Sequence, residues 1–225
     1  MADHSISNLR YKKKEIGWWL DLDLSEVNIA LFRLINDLGK EYTYLNPIFS
    51  FIAEYTVFFL ALGVLTIWFK RDKNSRLMIL CATITFICAF IIGKISGALH
   101  LNYQPFVELL NVNKLIEKEK DNSFPSDHTI LFFSFCITFW IFKRGWSILW
   151  IFLAILVGIS RIWVGVHYPF DVVASILISF ATATIIYFTL PKLSVTRNIL
   201  LFYEKFEDKL FQPLKKSKEN KTKNY

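Results

Sequence analysis

Residues 47–69, PIFSFIAEYTVFFLALGVLTIWF, form an apolar run of 23 residues with one charged side chain, Glu54. A helix needs about 20 apolar residues to cross the hydrocarbon core of a bilayer, so this run alone predicts a transmembrane helix. Four further runs without a charged residue follow, at 77–93, 129–142, 146–160 and 172–190. The third and fourth runs of the five are short, and each meets a polar cluster at one end. The pattern predicts an all-α fold, a polytopic membrane helical bundle with about five transmembrane helices.

Composition excludes two other classes of protein. Apolar residues make up 54% and charged residues 20% of the 225 residues, and a chain with so much apolar surface cannot stay disordered over most of its length. The three cysteines all lie inside apolar runs, which argues against a small secreted domain held by disulfides. A compact membrane domain agrees with both observations.

The first part of the chain differs from the apolar runs. The segment from Glu15 to Leu38 predicts one or two N-terminal interfacial helices, with Trp18 and Trp19 at the level of the lipid headgroups. A helix of a soluble domain is the alternative. The apolar stretch of a cleavable secretory signal is not found here. We divide the chain into an interfacial segment, a membrane domain and a basic tail, over 1–44, 45–190 and 191–225.

Basic residues in short loops predict the orientation, because such residues concentrate on the cytoplasmic side. Four lie within 70–76, two at 143–144 and nine in the tail from Pro191. With five spans, all three segments fall on one side of the membrane. We therefore expect a multi-pass protein of the plasma membrane with a cytoplasmic tail. The loops 102–125 and 161–169 then face outward.

Two other basic clusters bear on topology and partners. Three lysines at 12–14 lie on the outer side in this topology and count against it. The lysines between 215 and 223 are interpreted as a solvated, lipid-facing end. The lipid bilayer is therefore the partner that the net charge of +7 indicates, and no nucleic-acid partner is expected.

Two short polar segments interrupt the apolar pattern at the predicted outer ends of the helices. FPSDHT at 124–129 opens the third run, and SRIWVGVHYPFD at 160–171 joins the fourth run to the fifth. Lys94, His100 and Gln104 follow the second run and reach the same side. Polar groups beside membrane spans are costly and usually functional, so we expect one site here.

The residue types in these segments suit phosphoryl transfer. Ser126 can cap the third helix, whose first backbone N–H groups can hold a phosphate, and Arg161 offers a planar fork for phosphate oxygens. Asp171 lies four residues after His167. A carboxylate that accepts a hydrogen bond from one ring nitrogen leaves the other nitrogen as a nucleophile. His128 can protonate the leaving oxygen. A metal site is the weaker alternative, because no histidine pair has the spacing of a helical metal-binding pair.

The same segments resemble a known family. PSDH within 124–129 is similar to the second motif of the type 2 phosphatidic acid phosphatase superfamily, and residues 160–171 are similar to its third motif. Together with the pair Glu54 and Tyr55, these segments resemble, more narrowly, bacterial undecaprenyl pyrophosphate phosphatases of the bacitracin-resistance type. The resemblance covers residues 45–190.

The resemblance implies a role for each matching residue. His167 would be the nucleophile, Asp171 its orienting partner and His128 the general acid. No metal ion or other cofactor is expected, since family members of this type work without a metal ion. The phosphate would be bound by Ser126, by the backbone of Asp127 and by Arg161.

The first motif of the superfamily is not matched. The superfamily has a lysine, six residues and then Arg-Pro, whereas this chain has Gln104 and Pro105, with Gly97 seven residues before Gln104. A glutamine donates hydrogen bonds but brings no charge, so a phosphate contact worth about 1.5–3 kcal/mol is lost. Lys94, one helical turn before Gly97, is expected to compensate and to complete the phosphate site with Gln104.

The function predicted from these features is hydrolysis of undecaprenyl pyrophosphate to undecaprenyl phosphate, through a phosphohistidine, at the outer face of the membrane. Two alternatives stay open, because the motif residues contact only phosphate and because Gln104 stands where the superfamily has arginine. One is a phosphatidic acid or phosphatidylglycerol phosphate phosphatase, and the other is a lipid-phosphate-binding protein of low activity. In each case the ligand is a polyisoprenyl or glycerolipid phosphate.

Overall fold

The computed structural model describes residues 24–70, 72–203 and 205. In this part of the chain the regular structure is helical, and the extended backbone pairs only in an isolated bridge between Tyr103 and Asn122. The predicted all-α architecture is confirmed. A further helical stretch covers 194–203. The helices before it are α1 (Leu24–Asn36), α2 (Leu38–Glu41), α3 (Asn46–Phe69), α4 (Lys73–Leu99), α5 (Pro105–Glu108), α6 (Asp127–Lys143), α7 (Ile148–Trp163) and α8 (Pro169–Thr189).

Four helical segments of the described residues are long and apolar enough to cross a membrane, by length and composition: Thr43–Phe69, Lys73–Leu99, Gly145–Trp163 and Pro169–Lys192. The remaining apolar run forms α6, which has 17 residues. At 1.5 Å per residue it is about 26 Å long, less than the roughly 30 Å of the hydrocarbon core. The structure therefore confirms a membrane helical bundle with four candidate spans, and the predicted number of five is not confirmed.

α6 is the central helix of the bundle, in contact with α4, α7 and α8. Ten of its 17 residues are buried because neighbouring helices surround it. Its Phe132 and Phe139 belong to one apolar core with Leu60 of α3, Met78 of α4 and Val157 of α7. The outer helices instead carry large exposed apolar side chains, as lipid-facing helices do. Examples are Phe58, Leu62, Ile91, Phe152 and Leu177.

The N-terminal helix α1 packs on the end of the bundle where α8 begins. Phe32 is fully buried, and its ring centre lies 5.5 Å from that of Tyr168 in an edge-to-face arrangement. Asn36 is also fully buried. Its side-chain amide donates to the carbonyl oxygen of Trp163 at 2.8 Å, and its side-chain oxygen accepts from the N–H of Asn113 at 2.9 Å. One face of α1 is therefore fixed to the bundle by both apolar and polar contacts.

Within the described residues, the predicted interfacial segment contains α1, and one face of this helix packs against the bundle. Its other face exposes Leu24, Leu31 and Leu34, which remains compatible with a position at the membrane interface. Several residues named in the sequence predictions lie outside the described residues. These are Trp18, Trp19, the lysines at 12–14 and the lysines between 215 and 223.

The polar groups lie at two opposite ends of the bundle. At one end, Nζ of Lys143 lies 3.7 Å from Oδ2 of Asp72, so the two basic turns between helices meet there. Nε1 of Trp68 donates to the hydroxyl oxygen of Tyr203 at 2.8 Å, which brings the start of the tail to the same end. The two polar segments lie at the other end, one at the start of α6 and one between α7 and α8.

Candidate active site

The loop between α7 and α8 carries His167 into the bundle. Gly165 in this loop has a φ of +82°, in the left-handed region that glycine tolerates. A Cβ at this position would lie 2.7 Å from Cγ1 of Val112 and 2.9 Å from the carbonyl oxygen of Asn113. A glycine is therefore required for this turn, and Pro169 then begins α8 with a φ already suited to a helix.

The His167 ring is buried, with 2% of the residue exposed. Its Nδ1 lies 2.9 Å from the carbonyl oxygen of Ser123 and 3.6 Å from Oδ2 of Asp171. Both neighbours are hydrogen-bond acceptors, so the network assigns the proton to Nδ1 and leaves the lone pair on Nε2. Burial lowers the pKa of His167 to about 4, although the Asp171 carboxylate opposes this effect, so the ring is neutral at neutral pH.

Asp171 also holds the ring through a network, in addition to the 3.6 Å approach of its Oδ2 to Nδ1 of His167. Its Oδ2 accepts a short hydrogen bond from Oγ of Ser123 and another from the N–H of Tyr168 at 2.8 Å. The direct hydrogen bond of Nδ1 goes to the carbonyl oxygen of Ser123. Ser123 was missed from the sequence, because a serine in a loop 44 residues before the histidine carries no local signal.

The start of α6 lies beside this network. Oγ of Ser126 accepts from Oγ1 of Thr129 at 2.9 Å and from its N–H at 3.5 Å, so the predicted helix cap is confirmed. Oγ of Ser175 donates to the carbonyl oxygens of Ser126 and Asp171 at 3.0 and 2.7 Å. The first turns of α6 and α8 are therefore tied together, which holds the backbone N–H groups at Asp127 beside the His167 loop.

Arg161 lies in the last turn of α7 with 3% of the residue exposed. Its Nη1 donates to the carbonyl oxygen of Ala53 at 2.9 Å, which fixes the guanidinium against α3. Its Nε is buried without a hydrogen-bond partner among the described residues. A buried charged donor without a partner is costly, and an anion brought to this site would provide one.

His128 follows the α6 cap and is half-buried. The charges of Arg161, His167 and Lys118 all act on its ring, and we refer to these four side chains as the cluster. For three of these four side chains, Arg161, His128 and His167, the sequence predicts one shared phosphate site, and that role stays a prediction. An imidazole here can exchange a proton with a group bound between it and His167.

Lys94 lies at the rim of the cluster and is paired. Its Nζ is 2.8 Å from Oδ2 of Asp127, and both side chains are about half exposed. Gly97 is the position where the superfamily pattern has lysine. A Cβ there would lie 2.5 Å from the carbonyl oxygen of Phe124, so a lysine does not fit without moving backbone. Lys94 is therefore bound to a carboxylate at the rim, and the cation beside His167 is a different residue.

The side-chain amide of Gln104 binds loop backbone, and its predicted contact with phosphate stays a prediction. The residue is fully buried. Its Nε2 donates to the carbonyl oxygen of Glu119 at 3.2 Å, and its Oε1 accepts from the N–H of Asp121 at 3.0 Å. Both ends of the amide are therefore used to hold the backbone of the loop that precedes α6.

Lys118 is carried by that loop and was also missed from the sequence. Its Nζ lies 3.2 Å from Nε2 of His167. Burial, together with the nearby charge of Arg161, lowers the pKa of Lys118 to about 8. In the sequence Lys118 belongs to the charged stretch EKEKD at 117–121, which has the composition of an ordinary solvated loop.

Comparisons with known proteins agree with this arrangement. Residues 102–194 match the model of the PAP2 superfamily. The chain is 53% identical over 206 residues to the bacitracin transport permease protein BcrC of Bacillus licheniformis, which covers 91% of this chain and 100% of that protein. It is 37% identical over 155 residues to the undecaprenyl-diphosphatase BcrC of Bacillus subtilis strain 168, which covers 68% of this chain and 79% of that protein.

A solved structure is similar as well. The crystal structure of Aquifex aeolicus LpxE matches with a TM-score of 0.58 and 25% sequence identity, over 72% of this chain and 94% of that chain. The matched family range contains both polar segments that form the cluster around His167. On these grounds of sequence, fold and site, the chain belongs to the PAP2 superfamily.

Proposed function

We propose that this protein hydrolyses undecaprenyl pyrophosphate to undecaprenyl phosphate and inorganic phosphate through a phosphohistidine on His167. The observation that carries the proposal is the state of the His167 ring: Nδ1 is held by acceptors, and Nε2 lies 3.2 Å from the ammonium nitrogen of Lys118. Membership in the superfamily supports a membrane lipid phosphatase. The name of the B. subtilis relative, undecaprenyl-diphosphatase, supports the choice of lipid.

The reaction follows from the positions of these side chains. Nε2 of His167 attacks the terminal phosphorus, and the bond from that phosphorus to the bridging oxygen breaks. His128 donates a proton to the bridging oxygen, which leaves with undecaprenyl phosphate. Water then attacks the phosphohistidine, His128 takes a proton from it, and inorganic phosphate leaves. Arg161, Ser126 and the backbone at Asp127 bind the equatorial oxygens as charge develops on them.

Phosphate release from a panel of lipids tests the proposal. The purified protein in detergent, with EDTA present, is expected to favour undecaprenyl pyrophosphate over phosphatidic acid and phosphatidylglycerol phosphate by at least about tenfold in kcat/KM. An equal or higher value on a glycerolipid would assign a glycerolipid phosphatase instead. Release from none of the lipids would favour a transport role, which the name of the B. licheniformis relative states for that protein. Loss of activity in EDTA would contradict the metal-free mechanism.

The proposal places the active site on the outer side of the membrane, with α6 as a fifth crossing. The support is the position of two short basic turns, at 70–76 and 143–144, which meet at the end of the bundle opposite to His167. The helical stretch 194–203 reaches that basic end, so the same orientation makes the tail cytoplasmic. An outer site suits a lipid pyrophosphate that is released on the outer face.

Cysteine labelling tests this orientation. In a variant whose three cysteines are replaced by alanine, Leu110→Cys is expected to react with a membrane-impermeant thiol reagent in intact cells. Trp146→Cys is expected to react only after permeabilisation. Both positions suit the experiment, since Leu110 is 85% and Trp146 87% exposed, at opposite ends of the bundle. The reverse labelling pattern would place the site in the cytoplasm and contradict the proposed role.

The pH dependence of kcat/KM tests the state of His167. The ring must be neutral to attack, and its pKa is lowered to about 4 by burial. Activity is therefore expected to persist as the pH falls through the ordinary histidine range and to be lost only near pH 4. On the alkaline side it falls as the cations of the cluster lose their protons, beginning with Lys118, whose pKa is lowered to about 8 by burial, which gives a bell-shaped profile. An acid limb centred near pH 6.5, reversible on return to neutral pH, would contradict this account.

A further inference from the structure

Lys118 stands at the atom where the proposed reaction begins. Its Nζ lies 3.2 Å from Nε2 of His167, and Nδ1 of that ring already donates to the carbonyl oxygen of Ser123. Nε2 therefore accepts a hydrogen bond from the ammonium group. A phosphorus atom attacked by Nε2 must approach along the same lone pair, so its oxygens come within reach of the same ammonium.

We propose that Lys118 is a catalytic residue that binds the transferring phosphoryl group, and that Gln104 is the positioning residue for the loop that carries it. This inference rests on the proposed function, because it assigns a second cation to the same site. On substrate binding, the ammonium exchanges its hydrogen bond to Nε2 for one to a phosphoryl oxygen. The nucleophile is thereby released at the moment when the cation gains an anionic partner.

The electrostatic surroundings of Lys118 favour an anion. Burial and the charge of Arg161 both lower its pKa, which is about 8, and Lys94 acts in the same direction. The carboxylates of Asp127 and Asp121 oppose them and are the weaker influence. A half-buried ammonium beside a buried guanidinium is unfavourable until negative charge is placed between them. A phosphate bound at this place would therefore raise the pKa of Lys118 and hold it charged.

The loop that carries Lys118 is built on Gln104. The fully buried amide holds the backbone at Glu119 and Asp121, one residue and three residues after Lys118. The N–H of Ser123 donates to the carbonyl oxygen of Asn102 at 2.6 Å. This backbone hydrogen bond also holds the end of the loop that leads to the His167 network. Glutamine thus replaces the arginine of the superfamily pattern with a residue that positions another cation.

Substitutions of Lys118 test the catalytic role in two independent measurements. Lys118→Met is expected to lower kcat/KM on undecaprenyl pyrophosphate by about 10- to 100-fold, the effect of losing one charge-assisted phosphate contact. The affinity for orthovanadate, an analogue of the transferring phosphoryl group, is expected to fall by a similar factor. Lys118→Arg keeps the charge and is expected to retain most of kcat/KM and most of the affinity for orthovanadate. Lys120→Met is the matched control, since Lys120 is exposed in the same loop and lies over the Tyr103 ring.

The pH profile separates a catalytic role from a structural one. The alkaline limb of kcat/KM is expected near pH 8 in the wild-type protein and at higher pH in Lys118→Arg, because an arginine keeps its proton. If the alkaline limb lies at the same pH in Lys118→Arg as in the wild-type protein, another group sets that limb. This result would overturn the catalytic role of Lys118. Activity and vanadate affinity of Lys118→Met within about threefold of wild type would overturn it as well.

Gln104 is tested through its dependence on Lys118. Gln104→Ala removes both loop contacts and is expected to lower kcat/KM, but to add little in a protein that already carries Lys118→Met. Gln104→Arg is expected to lower activity too, because the arginine cannot accept from the N–H of Asp121. Additive losses, or a gain from Gln104→Arg, would overturn the positioning role.

The vanadate measurement also separates this inference from the proposed function. Binding of vanadate that depends on Lys118, in a protein without lipid hydrolysis, would overturn the proposed function and retain the cation site. Normal hydrolysis by Lys118→Met would overturn the inference and retain the function.

Discussion

His167→Ala is expected to abolish phosphate release, with a fall in kcat of at least about 1,000-fold, the scale of losing a covalent nucleophile. The ring is 2% exposed, and its Nε2 is the nitrogen left with a lone pair by the hydrogen bonds of Nδ1. No other described residue in the cluster has a comparable nitrogen held by two acceptors. Phosphate release by the purified variant, with its membrane expression compared with that of the wild type, is the measurement.

A second histidine at the same end of the bundle provides the control. His100 lies outside the cluster, with its ring packed edge-on against Phe124 at 5.2 Å between centres. His100→Ala is expected to keep kcat within about threefold of the wild-type value. Retention of more than about a tenth of wild-type activity by His167→Ala would contradict the covalent mechanism.

Arg161→Lys is expected to lower kcat/KM by about 10- to 100-fold, although the charge is kept. The guanidinium uses Nη1 to hold the carbonyl oxygen of Ala53 and has a buried Nε without a partner among the described residues. A lysine has one ammonium group and cannot make both the contact with α3 and a forked contact with phosphate. The measurements are kcat/KM on undecaprenyl pyrophosphate and the affinity for orthovanadate.

Arg76→Lys is the matched control for this substitution. Arg76 is 4% exposed at the opposite end of the bundle, where its guanidinium lies over the rings of Trp68 and Tyr203. Its replacement is expected to affect stability in the membrane but to leave the affinity for vanadate unchanged. An equal effect of the two variants on vanadate affinity would show that the loss reflects general damage to the bundle.

The five main helices of the bundle, α3, α4, α6, α7 and α8, could be predicted from the sequence because each one contains an apolar run. The run at 129–142 shows the limit of that argument. It forms α6, which is too short by length alone to count as a candidate span, yet it is the most enclosed helix of the bundle. Hydropathy gives the same signal for a helix that faces lipid and for one that faces other helices, so it could not distinguish these positions.

The site could be predicted where its residues are neighbours in sequence. Ser126 caps α6, and Asp171 lies in the first turn of α8, four residues after His167, so spacing along the chain placed them together. Ser123 and Lys118 reach His167 through tertiary structure, across 44 and 49 residues. No local pattern marks such contacts. A serine and a lysine in a charged loop look the same whether they enter a site or remain in solvent.

Gln104 shows that a sequence motif can also predict a different partner from the one that a side chain has in the structure. Its position in a sequence motif predicted a phosphate contact, but the buried amide binds backbone at Glu119 and Asp121. A motif position predicts the place on the backbone from which a side chain extends. The partners of that side chain depend on the loop that packs against it, which is why the sequence pattern indicated Lys94 and gave no sign of Lys118.

The central claim is that His167 becomes phosphorylated during turnover, and trapping that intermediate tests it most directly. Purified protein is mixed with undecaprenyl pyrophosphate, quenched in alkali within a single turnover and digested, and the peptide containing residues 160–171 is examined by mass spectrometry. The account predicts one added phosphoryl group, localised to His167, that forms at a rate no slower than kcat and is lost on acid treatment. Full turnover with no phosphoryl group on this peptide at any quench time, or with the group on another residue, would contradict it.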